Sequence, residues 1–148
     1  MRSPLYDLAL MCVAFAGFVI AFYIYHRKHE KKPLVCPLRS NCETVITSKY
    51  SHFLGIPIEF LGMTYYGGVF LIHAFMLAMP ALATTTELRL GLAASTLAFF
   101  FSLYLISLQA FVLKQWCTWC LTSATLCVLI FFITLASSPI PRALFIFH

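Results

Sequence analysis

Charge is what this sequence has least of. Only 10% of its side chains are Asp, Glu, Lys or Arg, and five of its 148 residues are acidic. With 61% hydrophobic side chains and a mean hydropathy of +0.90, the chain cannot cover an ordinary water-soluble domain of its size with polar surface. That excludes the soluble globular class and indicates a membrane protein. There is no G-x-G-x-x-G turn, which removes the common dinucleotide-binding fingerprint. The single C-x-x-C is followed by Leu121 instead of His, which removes the c-type haem attachment motif. No internal repeat, low-complexity tract or second soluble domain is visible.

Long apolar runs are present instead. A helix crossing the hydrocarbon core needs about 20 mostly apolar residues, and residues 5–25, 57–79, 87–113 and 116–136 meet that requirement. Ala14-Phe15-Ala16 has the A-x-A form of a signal-peptide cleavage site. The run continues to Tyr25, beyond a typical apolar region of ~7–15 residues, so a retained anchor is expected. The expected fold is an all-α membrane protein, a four-transmembrane-helix bundle forming a single integral membrane domain over residues 1–148. Pro80 closes the second span, and Thr84-Thr85-Thr86-Glu87 is a capping box where the third begins. This tight connection predicts that spans two and three pack as antiparallel neighbours. The tail from Ser137, with Pro139 and Pro141, is too short for a fifth span.

The one sizeable loop, residues 26–56, holds Arg27, Lys28, Lys31, Lys32, Arg39 and Lys49. These residues flank a membrane helix without interleaved aromatics, which fits a lipid headgroup or solvated-loop role and not nucleic acid. Ser40 and Glu43 have capping-box spacing, predicting a short amphipathic helix between spans one and two, from about Asn41 to about Phe53. Cys42, Val45, Ile46, Tyr50 and Phe53 would share its apolar face and hold Cys42 toward the bundle at the membrane surface. Gly55-Ile56-Pro57 ends this helix, and Pro57 suits the first turn of span two.

Counting helices puts the loop before span two and the loop before span four on the same membrane face. Cys36, Cys42, Cys117 and Cys120 therefore face one compartment, whereas Cys12 and Cys127 lie within spans and read as small buried hydrophobes. Four thiolates are the right number for structural zinc, but the five residues between Cys36 and Cys42 exceed the usual two to four. Two inert disulfides are a further alternative. Redox exchange has the stronger physical basis. A C-x-x-C at a helix N-terminus has its thiolate stabilised by unpaired backbone N–H groups and the helix dipole. An outer, mobile pair can hand electrons to an inner, fixed pair by thiol exchange. An acceptor reached from Cys120, about a turn inside the bilayer, has to be lipid-soluble, and a quinone fits. At about 1.5 Å rise per residue, Tyr65, Tyr66 and Tyr104 lie roughly 12–14 Å deep, matching Cys120, and Gln109 lies near the end of span three. His73 lies roughly 24 Å from the cysteine face, which suits helix packing or the opposite interface.

Taken in order, these features resemble the vitamin K epoxide reductase family, in its short bacterial or archaeal form. They are four spans, the Cys36-x5-Cys42 pair, Ser48 six positions after Cys42, Gly55-Ile56-Pro57 leading into span two, Tyr104 midway along span three, and Trp116-Cys117-Thr118-Trp119-Cys120 opening span four. The resemblance implies a helical bundle around a quinone of the ubiquinone or menaquinone/vitamin K type. It implies that Cys36 exchanges with a thioredoxin-fold partner, that Cys42 and Cys117 form a transient disulfide, and that Cys120 reacts with the quinone. Ser48 joins Tyr65, Tyr66, Tyr104 and Gln109 as an expected quinone-pocket residue. Some family members carry a fused thioredoxin-like domain; this chain ends at His148, so a partner in trans is expected.

Vertebrate members have seven residues between the loop cysteines and a Tyr four positions after the last. Here the spacing is five, Ala124 stands at that Tyr position in the expected pocket, and their span-two Asn has no evident counterpart near Thr64. Quinone-linked disulfide formation is therefore expected over vitamin K epoxide reduction, and over a non-enzymatic scaffold fastened by zinc or disulfides. The expected location is a prokaryotic inner membrane. Seven Lys or Arg on the cysteine face, against Arg2, Arg89 and Arg142 opposite, favour a cytoplasmic cysteine face. Disulfide chemistry belongs in an oxidising compartment, and on that ground the outward orientation is expected.

Overall fold

The computed structural model describes residues 3–138. The tail prolines Pro139 and Pro141, and the charges Arg2 and Arg142, lie outside the described residues. In chain order the elements are α1 (Pro4–His29), α2 (Cys42–Ile46), β1 (His52–Phe53), β2 (Ile56–Pro57), α3 (Ile58–Ala78), α4 (Thr85–Ser107) and α5 (Thr118–Ser137). Helix α4 continues as a π-helical segment over Leu108–Leu113. The helices Pro4–His29, Ile58–Ala78, Thr85–Leu113 and Thr118–Ser137 are long and apolar enough to cross a membrane, so the chain is an all-α membrane bundle.

Helix α1 runs past the apolar limit at Tyr25, ending at His29. Its last turn carries His26, Arg27, Lys28 and His29, cations that favour the negative end of the helix dipole. Hydropathy marks where the lipid-compatible stretch stops, not where the helix does. One face of α1 buries Leu10, Ala14, Gly17, Ala21 and Ile24, and its small residues let α3 lie close. At Gly17 the approach is so tight that a Cβ would occupy the space of the Tyr66 ring. At the far end Asp7 Oδ1 and His73 Nδ1 lie 2.8 Å apart between α1 and α3, which gives His73 a helix-pairing contact.

The expected pairing of spans two and three is corrected. Helix α3 packs mainly on α1, α4 on α5, and α1 on α5, while α3 and α4 are splayed despite their short connection. The connection itself is as read: the Thr84 backbone N–H donates to Glu87 Oε2 at 3.2 Å. The small-residue face of α1 draws α3 to itself, and a short turn constrains only the ends of two helices.

The loop helix is also shorter than expected. Helix α2 has five residues with Asn41 as its N-cap, and no side-chain capping bond forms there. The run Thr44-Val45-Ile46-Thr47 is β-branched and a weak helix former. Downstream hydroxyls compete for the backbone, Thr47 Oγ1 donating to Glu43 O at 2.6 Å and Ser48 Oγ to Val45 O at 2.8 Å. The chain then forms a hairpin, with His52 opposite Pro57 and Phe53 opposite Ile56. Its two turn residues, Leu54 and Gly55, have φ of 53° and 82°, the pattern of a type I′ turn. Cys42, Val45 and Ile46 are buried as expected, whereas Phe53 sits on the hairpin against Phe101 and is exposed.

Candidate active site

Two cysteine pairs meet where the loop covers the start of α5. Cys36 and Cys42 are joined by a disulfide, with a Cα–Cα distance of 6.2 Å. Cys117 and Cys120 are free thiols. Cys42 and Cys117 belong to one buried cluster with Ile24, Leu34, Val45 and Ile46, and Cys36 and Cys120 pack against it.

Side chains of the W-C-T-W-C segment fasten the loop. Trp119 Nε1 donates to Val35 O at 2.8 Å, and Thr118 Oγ1 donates to Pro37 O at 3.1 Å. Asn41 Nδ2 donates to Gln115 Oε1 at 2.5 Å. Ser40, expected to cap α2, instead stands between the pairs: its hydroxyl donates to Pro37 O at 3.2 Å and lies 2.7 Å from Thr118 Oγ1 and 3.4 Å from Cys42 Sγ. The C-x-x-C and the loop thus hold one another in register.

Cys117 is the N-cap of α5, and its Sγ accepts the Cys120 backbone N–H at 3.3 Å. Its own N–H donates to Gln109 Oε1 at 3.0 Å. Gln109 is buried within the π-helical segment, whose altered pitch is a common feature of functional sites. The Cys117 thiol lies below the ordinary thiol range, chiefly through the hydrogen bond from the Cys120 thiol. Burial opposes this, and the backbone N–H groups of Cys120 and Trp119 add to it.

On the other side of Cys120 is a cavity of about 160 Å³ between the splayed helices. Ser48, Tyr65, Tyr66, Gln109 and Ala124 all line it, together with Cys120. Tyr66 OH donates to Ser123 O at 2.5 Å, and Tyr65 OH to Ser95 Oγ at 3.4 Å. Tyr104 is placed differently: it is 48% exposed on the outer face of α4 and is not part of the lining. The inward stripe of this span includes Ala98, Phe101, Ser102, Leu105, Ile106, Leu108 and Gln109, and Tyr104, though three positions after Phe101, lies beside that stripe and faces outward. Depth alone cannot separate these positions, because depth says nothing of rotation.

The lining residues that were not anticipated include Glu59, Ser102 and Cys127. Glu59 carried a signal, since an ionisable residue inside an apolar span is rare and usually functional. Cys127 is buried, as read, but Cys12 is exposed on the outer side of α1. The family model described as Vitamin K epoxide reductase family matches residues 8–135, a stretch that includes both cysteine pairs and the cavity. The chain thus belongs to the vitamin K epoxide reductase family, whose members are in general membrane oxidoreductases linked to thiol–disulfide and quinone chemistry.

Proposed function

We propose that the protein is a quinone-dependent thiol–disulfide oxidoreductase that makes disulfides for exported proteins. Electrons enter from a thioredoxin-fold partner at Cys36, pass through Cys42 to Cys117, and leave through Cys120 to a membrane quinone. The observation that carries this reading is the placement of Cys120 on the cavity wall while its neighbour Cys117 shares a buried cluster with Cys42. One thiol pair then bridges the outer disulfide and the lipid-side cavity.

The redox states fit the sequence of transfers. When Cys42 attacks a Cys117–Cys120 disulfide and Cys36 then resolves the mixed disulfide, Cys117 departs as a thiolate. The outer pair ends oxidised and the inner pair reduced, the arrangement found here. A low thiol pKa speeds departure, which suits Cys117. The residues at the cavity also suit a quinone headgroup. Ile58, Leu61, Phe101 and Leu105 supply apolar wall, and the Gln109 amide and nearby hydroxyls supply donors. A quinone bound there would accept two electrons and two protons. The proposed setting is a prokaryotic inner membrane, with the cysteine face outside the cytoplasm and the partner a separate protein.

The test is anaerobic mixing of the detergent-purified protein with a reduced thioredoxin-fold protein and a quinone, followed by quinone absorbance. The wild-type chain is expected to reduce the quinone. Cys42→Ala is expected to abolish flow from the protein partner but retain reduction driven by a small dithiol. Cys120→Ala is expected to abolish both while the protein stays folded. Wild-type turnover by Cys42→Ala would refute the relay order. Unfolding of Cys120→Ala without any quinone activity in the parent would favour a disulfide-fastened scaffold.

A further inference from the structure

We infer that Glu59, held in place by Lys28, carries protons between the Cys117/Cys120 dithiol and the acceptor cavity. This rests on the quinone reading above.

Glu59 stands in the first turn of α3 and is almost fully buried. Lys28, in the last turn of α1, reaches its two carboxylate oxygens at 3.3 and 3.4 Å. Removing two charges from water costs several kcal/mol per ion, and a buried pair is often no more stabilising than apolar residues of the same volume. Helices α1 and α3 are already joined by the close packing of Ala21 on Gly62 and of Tyr66 on Gly17. The pair is therefore not explained by helix association.

Its location supplies an explanation. Glu59 lines the cavity that Cys120 also lines, and the described lining residues include no other carboxylate and no imidazole or amine. Its charge is felt by the dithiol, because the carboxylate opposes ionisation of Cys117. Closing the Cys117–Cys120 disulfide breaks two S–H bonds, forms one S–S bond and releases two electrons and two protons. Reduction of a quinone to its quinol takes up the same two electrons and two protons, forming two O–H bonds. Cys117 is fully buried, so its proton needs an acceptor within the protein. The Glu59 carboxylate takes a thiol proton, gives it up on the cavity side, and returns to its pairing with Lys28. The second proton follows by the same route, and Lys28 acts as a positioning residue.

The experiment uses the full chain in detergent, with dithiothreitol as reductant and a short-chain water-soluble quinone as acceptor. Glu59→Gln keeps the shape of the side chain and removes its basicity. Its kcat is expected to fall about 10²-fold with the quinone KM little changed, and Glu59→Asp is expected to recover most of the loss. A second readout needs no quinone. Site-resolved iodoacetamide alkylation of Cys117 in the reduced protein is expected to be faster in Glu59→Gln than in wild type, because the opposing charge is gone. Should Glu59→Gln fail to fold with Lys28 unpaired, the double variant Lys28→Met, Glu59→Met removes both charges and should show the same kcat loss. An unchanged kcat, a loss confined to KM, or an unchanged alkylation rate would each overturn the proposal. If the wild-type chain itself fails to reduce the quinone, the reading beneath it falls, and the proposal falls with it.

Discussion

Cys117 is the residue on which the proposed chemistry turns, because it is both the end of the inner pair and the cap of a helix. Its thiol lies below the ordinary range, owing first to the Cys120 thiol and then to backbone N–H groups at the start of α5. The sign follows directly. A depressed pKa keeps the thiolate populated at pH values where an ordinary Cys is protonated, and reactivity is lost only as the pH falls through that lower value. Alkylation of Cys117 in the reduced protein is therefore expected to set in at lower pH than that of the Cys120→Ala variant, whose profile should move toward higher pH. A profile unmoved by Cys120→Ala would refute this cause. The cysteines were legible from spacing alone, since C-x-x-C before an apolar run is a local pattern. Gln109 was legible by depth, but its bond to the Cys117 N–H was not. That contact depends on a π-helical segment, and no residue-level preference marks one. Glu59 and Lys28 were readable as charges but not as a pair, because they are thirty-one positions apart and meet only when α1 and α3 pack.

Among elements, the four spans were visible because hydropathy over a long window is insensitive to detail, whereas partner choice between helices is not. The connection between α3 and α4 is short, yet the fold pairs α3 with α1 and leaves room for a cavity. The cause lies in single positions on α1. At Gly17 a Cβ would overlap the Tyr66 ring, whereas at Gly62 of α3 a Cβ would meet Ala21 at an ordinary 3.5 Å. Gly17→Ala is accordingly expected to destabilise the bundle by about 1–3 kcal/mol, the usual cost of overpacking. It should also shift Tyr66 from its bond to Ser123. Gly62→Ala is expected to be near neutral. Thermal unfolding of both variants in one detergent checks the contrast, and equal melting temperatures would refute it. The loop helix shows the opposite balance. Its apolar face at Cys42, Val45 and Ile46 was readable from periodicity, but its length was not, because β-branched residues and competing hydroxyls end it after one turn.

For the whole molecule, two physical rules oppose each other over which way it faces. Both cysteine pairs sit at one end, with the Asp7–His73 pair at the other. The cysteine end carries most of the Lys and Arg, a bias that places a loop in the cytoplasm. Folding does not erase that bias, although two of these cations acquire acidic partners. Lys28 pairs with Glu59 at 3.3 Å and Lys32 with Glu30 at 2.9 Å, yet orientation depends on counted Lys and Arg more than on net charge. Against this stands the chemistry. Disulfides persist in oxidising compartments, and Cys36 lies in the loop that a soluble partner would reach. Among cellular settings, intracellular disulfide formation is established for hyperthermophiles, and nothing in this composition marks such an origin. The outward orientation is therefore the expected one. Intact cells are reduced briefly and treated with a membrane-impermeant maleimide, and Cys36 is followed by mass spectrometry. Labelling of Cys36 in intact cells supports an extracytoplasmic site. Protection in intact cells with labelling only after lysis would reverse the orientation and make the protein a generator of cytoplasmic disulfides.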